Sequence, residues 1–184
     1  MTTMGQLQFA GFTCLTTEDS VAVGTGLRGD IGSVEFPLVI ELGDGGAEMG
    51  VKAVTFSGGG EPLIYPHIAE AANRLGKSGI KLATLTNGSH LHEDIAEAFA
   101  RYGTWIRVSI DGWDAESYAK IRNVKLTEFD LVVNNMRNFA RLNSSCVLGI
   151  NYVIDNQNYG HVLEFAKLMK DVGVNHMKIM GVLV

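Results

Sequence analysis

The stretch VTFSGGGEP, Val54 to Pro62, decides the fold of this chain. It joins a short apolar run to a turn of consecutive glycines, which lets backbone N–H groups approach a ligand because no Cβ stands in the way. In a parallel sheet of βα units, ligands bind at the carboxyl ends of the strands, where this turn falls. Glycine-rich turns are also common as plain connections. The turn alone therefore predicts either a ligand loop or a tight strand-to-helix connection.

The sequence around this turn alternates between two periods. Short runs rich in β-branched residues predict strands at Val51–Phe56, Ile80–Leu85, Trp105–Ile110, Val147–Ile154 and Asn175–Met180. Between them, apolar residues recur with the spacing of amphipathic helices, in four stripes that begin at Ile68, Leu91, Phe129 and Val162. A capping box from Thr127 to Asp130 is predicted to open the third helix, and Gly173 to end the fourth. Apolar strands joined by helices predict a parallel sheet with right-handed crossovers.

These units predict an α/β fold, a partial (βα)6 TIM-like barrel with parallel strands and a degenerate first unit. The chain has 184 residues, whereas a complete barrel of eight units usually needs about 250. We expect a single domain overall, in which residues 51–184 form the βα-repeat core. Residues 1–50 are expected to form the degenerate first βα unit and a loop.

The first fifty residues fit this plan less well. Leu7–Cys14 is predicted as the first strand, Thr16–Ser33 as a loop and Val34–Met49 as the first helix. That helix would contain glycines at positions 43, 45 and 46, each costing roughly 1 kcal/mol relative to alanine. Either tertiary packing stabilises the helix, or the segment is frayed or altered.

Charge and composition exclude several classes of function. The net charge of −5 argues against nucleic acid or anionic lipid as a partner. No run approaches the roughly 18 apolar residues of a membrane span, and the first residues lack the positive charge of a secretory signal. Two cysteines, Cys14 and Cys146, are too few for a disulfide framework. We expect a cytoplasmic protein, and oligomerisation would cover the open edges of a partial barrel.

Polar residues follow several of the predicted strands. Glu61 lies in the first turn, Asn87 follows the second strand, Ser109 and Asp111 lie at the end of the third, and Asn151 interrupts the apolar fourth. Each alone is more often a cap or turn residue. Because the carboxyl ends of parallel strands meet at one rim, the set predicts a binding mouth for a small polar ligand.

Four segments together resemble the radical S-adenosylmethionine (radical SAM) enzymes, in that order and spacing. They are VTFSGGGEPL, LATLTNGSHL, IRVSIDGWDAESYAKIR and VLGINYVIDNQN with the helix and GVNHMKI that follow. The resemblance covers about Val34 to Met180 and is closest to the branch of peptide-modifying and molybdenum-cofactor-biosynthesis members. SGGGEP with SIDG is specific, whereas the TNG strand end is not.

The resemblance implies S-adenosylmethionine and a [4Fe–4S] cluster as cofactors and a peptide or small molecule as substrate. Gly59, Gly60 and Glu61 match the GGE motif that holds the methionine amino group. Ser109 and Asp111 match strand-end positions near the ribose and carboxylate, and Asn151 matches another polar contact to the cofactor. The backbone near 179–181 would face the adenine. In the family, reductive cleavage of the cofactor yields a 5′-deoxyadenosyl radical.

The cluster motif of the family, C-x3-C-x2-C, is absent. Counting its spacing from Cys14, the one candidate metal ligand, reaches Glu18 and Val21. Fe–S clusters of this type are held by several cysteine thiolates. Members of this branch often carry a C-terminal cysteine-rich region as well, so the resemblance also implies the core of a longer protein.

Three hypotheses follow. The chain is a radical SAM enzyme domain, or a non-catalytic relative that keeps the barrel and an S-adenosylmethionine site, or an unrelated barrel lyase or isomerase. The third class generally needs a lysine or a metal at a strand end, which the predicted strand ends do not offer. The five histidines are scattered and predict capping or surface roles. Arg107 inside a strand predicts pairing with a local acid or contact with a substrate carboxylate.

Overall fold

The protein is described by a computed structural model, which covers residues 5–9, 12–17, 20–24, 51–57 and 60–181. For residues 5–24 it describes the backbone. The predicted helix Val34–Met49 and the glycines Gly58 and Gly59 lie outside the described residues.

The described strands form one sheet whose spatial order equals the chain order, β1 to β8. The strands are β1 Gly5–Phe9, β2 Phe12–Thr17, β3 Ser20–Gly24, β4 Ala53–Phe56, β5 Lys81–Thr86, β6 Gly103–Ser109, β7 Val147–Ile154 and β8 His176–Gly181. From β3 onward, neighbouring strands pair in parallel. The predicted parallel α/β sheet is confirmed, and each of the five strands predicted from residue 51 onward is found within two residues of its predicted start.

Helices connect the parallel strands from β4 onward. They are α1 Ile68–Lys77, α2 Glu93–Tyr102, α3 Ala115–Arg122, α4 Thr127–Arg141 and α5 Val162–Val172. The apolar stripes read from the sequence are the buried faces of α1, α4 and α5, where Leu75, Phe139 and Phe165 are almost fully buried. The predicted end of α5 is confirmed, because Gly173 caps it in the left-handed conformation with φ of 99°.

The helices whose contacts with strand residues are resolved lie on one face of the sheet. Phe99 of α2 meets Phe56 of β4 edge to face, with ring centroids 6.1 Å apart. Phe165 of α5 stacks on Tyr152 of β7 at 4.6 Å. These strand residues belong to the single apolar core that the helices close. Alternate strand residues point the other way, onto what we call the inner face. Most of its side chains on β4 to β6 are half-buried.

The structure corrects two predictions for the first fifty residues. Leu7 and Cys14, the two ends of the predicted first strand, lie opposite each other in the antiparallel pair β1–β2. An apolar run does not distinguish one strand from a hairpin, although Gly11 between the halves is a hairpin signal. Part of the predicted loop, Ser20–Gly24, is strand β3, which pairs with β4 in parallel. The glycines at its end and beyond it, Gly24 and Gly26, concealed a short apolar segment, Val21–Val23.

The predicted capping box at Thr127 is also wrong. The residue before it, Leu126, already has helical backbone angles and caps α4 without a side-chain hydrogen bond. The N–H of Glu128 donates to the carbonyl of Lys125 at 3.1 Å, so the chain turns before Thr127. A capping side chain needs an extended backbone at its own residue, and Thr127 lies inside the helix instead.

Candidate functional site at the carboxyl rim of the sheet

Glu61 joins the turn after β4 to the end of β5. Its Oε2 accepts a hydrogen bond from the N–H of Asn87 at 2.6 Å, and its Oε1 accepts from the hydroxyl of Thr86. The same Oε1 caps the turn Pro62–Ile64 by accepting from the N–H of Leu63 at 3.1 Å. The carboxylate is therefore fixed in place by three donors. Oε1 already accepts two hydrogen bonds, whereas Oε2 accepts one and keeps a lone-pair direction for a further donor.

The turn after β5 is held rigid by its own side chains. The N–H of Gly88 donates to the Thr86 hydroxyl at 3.0 Å, and Asn87 Oδ1 accepts from the N–H of Ser89 at 2.9 Å. The buried amide of Asn135 on α4 donates to the carbonyls of Gly88 and Ser89. Gly88 has φ of 81°, a conformation that favours glycine, and a Cβ there would meet Val108 at 2.9 Å.

Asp111 joins the end of β6 to its neighbours. Its Oδ2 forms an ion pair with the guanidinium of Arg122 at 2.6 Å, with both side chains largely buried. Its Oδ1 accepts from the N–H of Val153 on β7 at 3.2 Å. Arg122 also donates to the carbonyl of Ser109 at 3.1 Å, and its Nε is buried without a partner among the described residues. The Nε–H of Arg122 can therefore still donate one hydrogen bond.

Asn158 secures the other side of this rim. Its buried amide donates to the carbonyls of Val153 at 2.8 Å and Asp111 at 3.3 Å, and its Oδ1 accepts from the N–H of Asp155. The ring of Trp113 stacks on that of His161, 4.0 Å away and almost parallel to it. The loops after β6 and β7 are thus linked to each other.

Ser109 and Asn151 are paired neighbours on β6 and β7 and share the inner face. Asn151 is only 8% exposed, and its Oδ1 finds no hydrogen-bond partner among the described residues. A buried amide oxygen without a donor costs free energy, so this atom is suited to accept from a ligand.

Of the other predicted site residues, Gly60 is exposed next to Glu61, and Gly59 lies outside the described residues. Cys14 is in strand β2, but its side chain is not described. Cys146 is buried at the amino end of β7, away from the rim, and burial raises its thiol pKa to about 12. Within the part of the chain that the structure describes, no three His, Cys, Asp or Glu side chains form a metal-binding group.

Sequence reasoning missed Arg122, Asn135 and Asn158. The signal for Arg122 was its place at the end of the helix that follows the SIDG segment, eleven residues beyond Asp111. Asn135 and Asn158 gave no local signal, because their partners are backbone carbonyls from distant turns.

The geometry defines a rim of fixed polar groups above a parallel βα sheet, and the comparisons with known proteins agree with it. Residues 23–179 match the family model described as the Radical SAM superfamily. The chain therefore belongs to the radical SAM superfamily, whose members use S-adenosylmethionine and a [4Fe–4S] cluster.

Curated relatives match over part of their length. A probable GTP 3′,8-cyclase of Methanocaldococcus jannaschii is 28% identical over 127 residues, 68% of this chain and 41% of that protein. An AdoMet-dependent heme synthase of Methanosarcina barkeri is 26% identical over 123 residues, 66% of this chain and 34% of that protein. The chain thus spans less than half the length of these relatives.

Solved structures with the same fold include Streptococcus suis SuiB bound to S-adenosylmethionine, with a TM-score of 0.62 and 19% identity over 80% of this chain and 33% of that one. Native anSMEcpe with bound AdoMet matches with a TM-score of 0.63 and 16% identity, over 85% of this chain and 45% of that one. Archaeal TYW1 matches with a TM-score of 0.61 and 14% identity, over 89% of this chain and 65% of that one. These likenesses confirm the partial TIM-like barrel. Among the described residues, no helix is long and apolar enough to cross a membrane.

Proposed function

We propose that this chain binds S-adenosylmethionine at the carboxyl rim of its sheet, as a radical SAM-family module that does not itself hold the [4Fe–4S] cluster. Gly60 and Glu61 would receive the ammonium of the methionine moiety. Ser109, Asp111 and Asn151 would contact the ribose and the carboxylate, and Gly59 would complete the turn.

The observation that best supports this proposal is that one rim holds the fixed charges of Glu61, Asp111 and Arg122. The same rim holds buried polar atoms without a hydrogen-bond partner among the described residues. Burial raises the pKa of Tyr118, and the charges of Arg122, Glu128, Asp111 and Glu61 all act on this same hydroxyl. The methionine moiety is a zwitterion, so it needs an anionic and a cationic partner close together. Arg122, with its unfilled Nε, would meet the carboxylate, and Glu61 the ammonium.

The residues present do not fit the cluster. The chain contains two cysteines, and Cys146 lies in the apolar core, where its Sγ would be 2.7 Å from a Cβ built on Gly103 at the start of β6. Cys146 therefore belongs to the opposite end of the sheet from the rim. With at most Cys14 left, the three thiolates that such a cluster takes from the family motif cannot be supplied.

The binding proposal is tested by calorimetric titration with S-adenosylmethionine. We expect one site, weakened at least about tenfold by Glu61→Gln or Arg122→Gln, because each removes a charge-assisted hydrogen bond. Arg141→Gln, which removes an exposed charge at the end of α4, is the matched control and should bind as the unaltered chain does. Absence of binding by the unaltered chain would refute the proposal.

The second candidate function is turnover as a radical SAM enzyme on a peptide or a small molecule. It is favoured by the family match over residues 23–179 and by relatives named as a GTP cyclase and a heme synthase. Anaerobic reconstitution with iron and sulfide, followed by EPR of the reduced protein, tests it. A cubane signal at stoichiometric iron, together with release of 5′-deoxyadenosine, would establish this function in place of the first.

A cytoplasmic location, a peptide or small-molecule substrate and association into oligomers complete the proposal. One structural neighbour, Streptococcus suis SuiB, has been solved bound to its precursor peptide SuiA, which supports a peptide substrate. The names of the cyclase relatives support a nucleotide instead.

A further inference from the structure

We propose that the inner face of the sheet contains a subsite for an oxyanion of the substrate, a carboxylate or a phosphate, in which Arg107 determines specificity. This inference rests on the proposed function, because it assigns the substrate side of the same site.

Arg107 lies beneath the rim, on the inner face of the sheet. It is paired with Leu85 on β5 and with Gly149 on β7. The next inner-face layer toward the rim is Ser109 with Asn151. Two residues of a strand span roughly 7 Å, so a group bound at Arg107 would lie one layer below the proposed cofactor contacts.

The guanidinium of Arg107 lacks the partner that a partly buried arginine normally has. Its Nε is buried without a hydrogen-bond partner among the described residues. It takes no part in the ion pairs that the described residues form. Its contact is with the ring of Trp105, 5.0 Å from the guanidinium carbon. The expected pairing with a local acid is therefore not found among the described residues. The N–H donors of the planar Arg107 guanidinium remain free to bind an oxyanion.

The strands beyond Arg107 bring further basic groups to the same face. A Cβ built on Gly149 would lie 2.2 Å from the imidazole of His176, so that ring covers Gly149 on the inner face. Gly149 is thus the residue that lets the imidazole of β8 extend across β7 toward Arg107. Lys178 of β8 is paired with Asn151 in the next layer and is exposed.

No carboxylate neutralises this group on the described strands. From the layer of Ala83 up to the layer of Asn151, the inner-face positions of β4 to β8 carry no Asp or Glu. Of the two acids predicted as site residues at the rim, Asp111 is already paired with Arg122, and Glu61 already accepts three hydrogen bonds. Basic groups with no acid beside them on this face concentrate anions, so a substrate without an anionic group would bind weakly.

Side-chain NMR of the full chain tests the subsite. The Nε–Hε signal of Arg107, assigned from its loss in Arg107→Gln, is followed while inorganic pyrophosphate or glutarate is added. We expect a saturable shift with at least one probe, and affinity about tenfold lower in Lys178→Gln, because Lys178 would donate a charge-assisted hydrogen bond to the anion. Pyrophosphate as the tighter ligand indicates a phosphate-bearing substrate, and glutarate a carboxylate.

Arg141→Gln removes one exposed charge elsewhere and should leave both titrations unchanged. A linear, unsaturable shift with both probes, or an equal loss of affinity in Arg141→Gln, overturns the proposal. Should Arg107→Gln not fold, Arg107→Lys keeps the charge without the fork and should still weaken probe binding.

A separate titration with S-adenosylmethionine distinguishes the two proposals. If S-adenosylmethionine binds equally to the unaltered chain and to Arg107→Lys while neither probe saturates, the oxyanion subsite fails and the proposed function stands. If the probes saturate but S-adenosylmethionine does not bind, the proposed function fails.

Discussion

Cys146 shows how one residue's surroundings decide its chemistry. Its thiol is buried in the core that the helices close over the sheet, and burial raises its pKa to about 12. The thiolate is the reactive form of cysteine. A pKa of about 12 leaves a thiolate fraction on the order of 10⁻⁴ at pH 8. The sequence suggested a small buried hydrophobic residue here, and the structure confirms it.

We therefore expect Cys146 to resist alkylation in the folded chain. Iodoacetamide at pH 8 should modify it only after denaturant is added, as read by mass spectrometry of the peptide that contains it. The peptide containing Cys14 in the same digest serves as an internal comparison. Rapid modification of Cys146 without denaturant would contradict the buried position.

Among single residues, Glu61 carries the most structural connections at the rim. Glu61→Gln keeps the shape but weakens the bonds from Thr86 and from the N–H of Asn87. We expect a loss of about 1–3 kcal/mol in the free energy of unfolding, measured by urea denaturation. Glu97→Gln on the exposed face of α2 is the control. An equal effect from both would show that only net charge matters.

At the scale of elements, helix α3 depends on its first residues. Asp114 accepts from the N–H of Ser117 at 2.8 Å, and the Ser117 hydroxyl accepts in return from the N–H of Asp114. The sequence indicates this capping box in part, since an Asp just before a helical segment is a typical cap. Partial burial raises the pKa of Asp114, but the bonds from Ser117 and the charge of His161 outweigh it and the pKa falls below its usual value.

Asp114→Ala should cost about 1 kcal/mol of the free energy of unfolding at neutral pH. Because the folded pKa is lowered, the charged cap stabilises the fold above the unfolded pKa near 4, and this contribution is lost as the pH falls through the lower folded value. Urea denaturation at pH 7 and pH 3 measures the change. Asp114→Asn, which caps at both pH values, is the control; a penalty for Asp114→Ala that does not shrink in acid would be inconsistent with this linkage.

The glycine of the SIDG segment positions α3 by allowing close approach. A Cβ on Gly112 would lie 2.3 Å from the backbone Cα of Tyr118. Gly112→Ala should therefore displace α3, destabilise the chain by about 1–3 kcal/mol and loosen the Asp111–Arg122 pair. Thermal unfolding measures this, and Gly160→Ala, where nothing lies within 4 Å, is the matched glycine control. Equal effects would mean that the contact is not decisive.

At the scale of the whole molecule, periodicity predicted the parallel core well. The strands from Ala53 onward and the buried helix stripes follow from local patterns. The rim contacts do not follow from local patterns. The hydrogen bonds from Asn135 to Gly88 and Ser89, and from Asn158 to Asp111, join residues 46 to 47 positions apart in the sequence. Strand β3 was concealed by the glycines at and after its end, and its pairing with β4 is a tertiary contact. Local sequence patterns specify the individual βα units. The candidate site is specified by the tertiary contacts between these units.

Protection of the sheet should be graded from centre to edge. Strands β5 to β7 are flanked on both sides, whereas β8 ends the sheet and most of its residues are exposed. Amides with few buried contacts exchange fastest. Hydrogen exchange by mass spectrometry should show β8 exchanging before β6 and β7, and equal protection of β8 would reveal a covering partner.

The chain-ordered sheet has a consequence for synthesis. Because every strand from β2 to β8 pairs with the strand made just before it, each new unit emerging from the ribosome finds its template already present. Nearest-neighbour pairing keeps loop closure local, and local closure favours fast folding. The sheet can therefore lengthen one unit at a time, in the direction of translation.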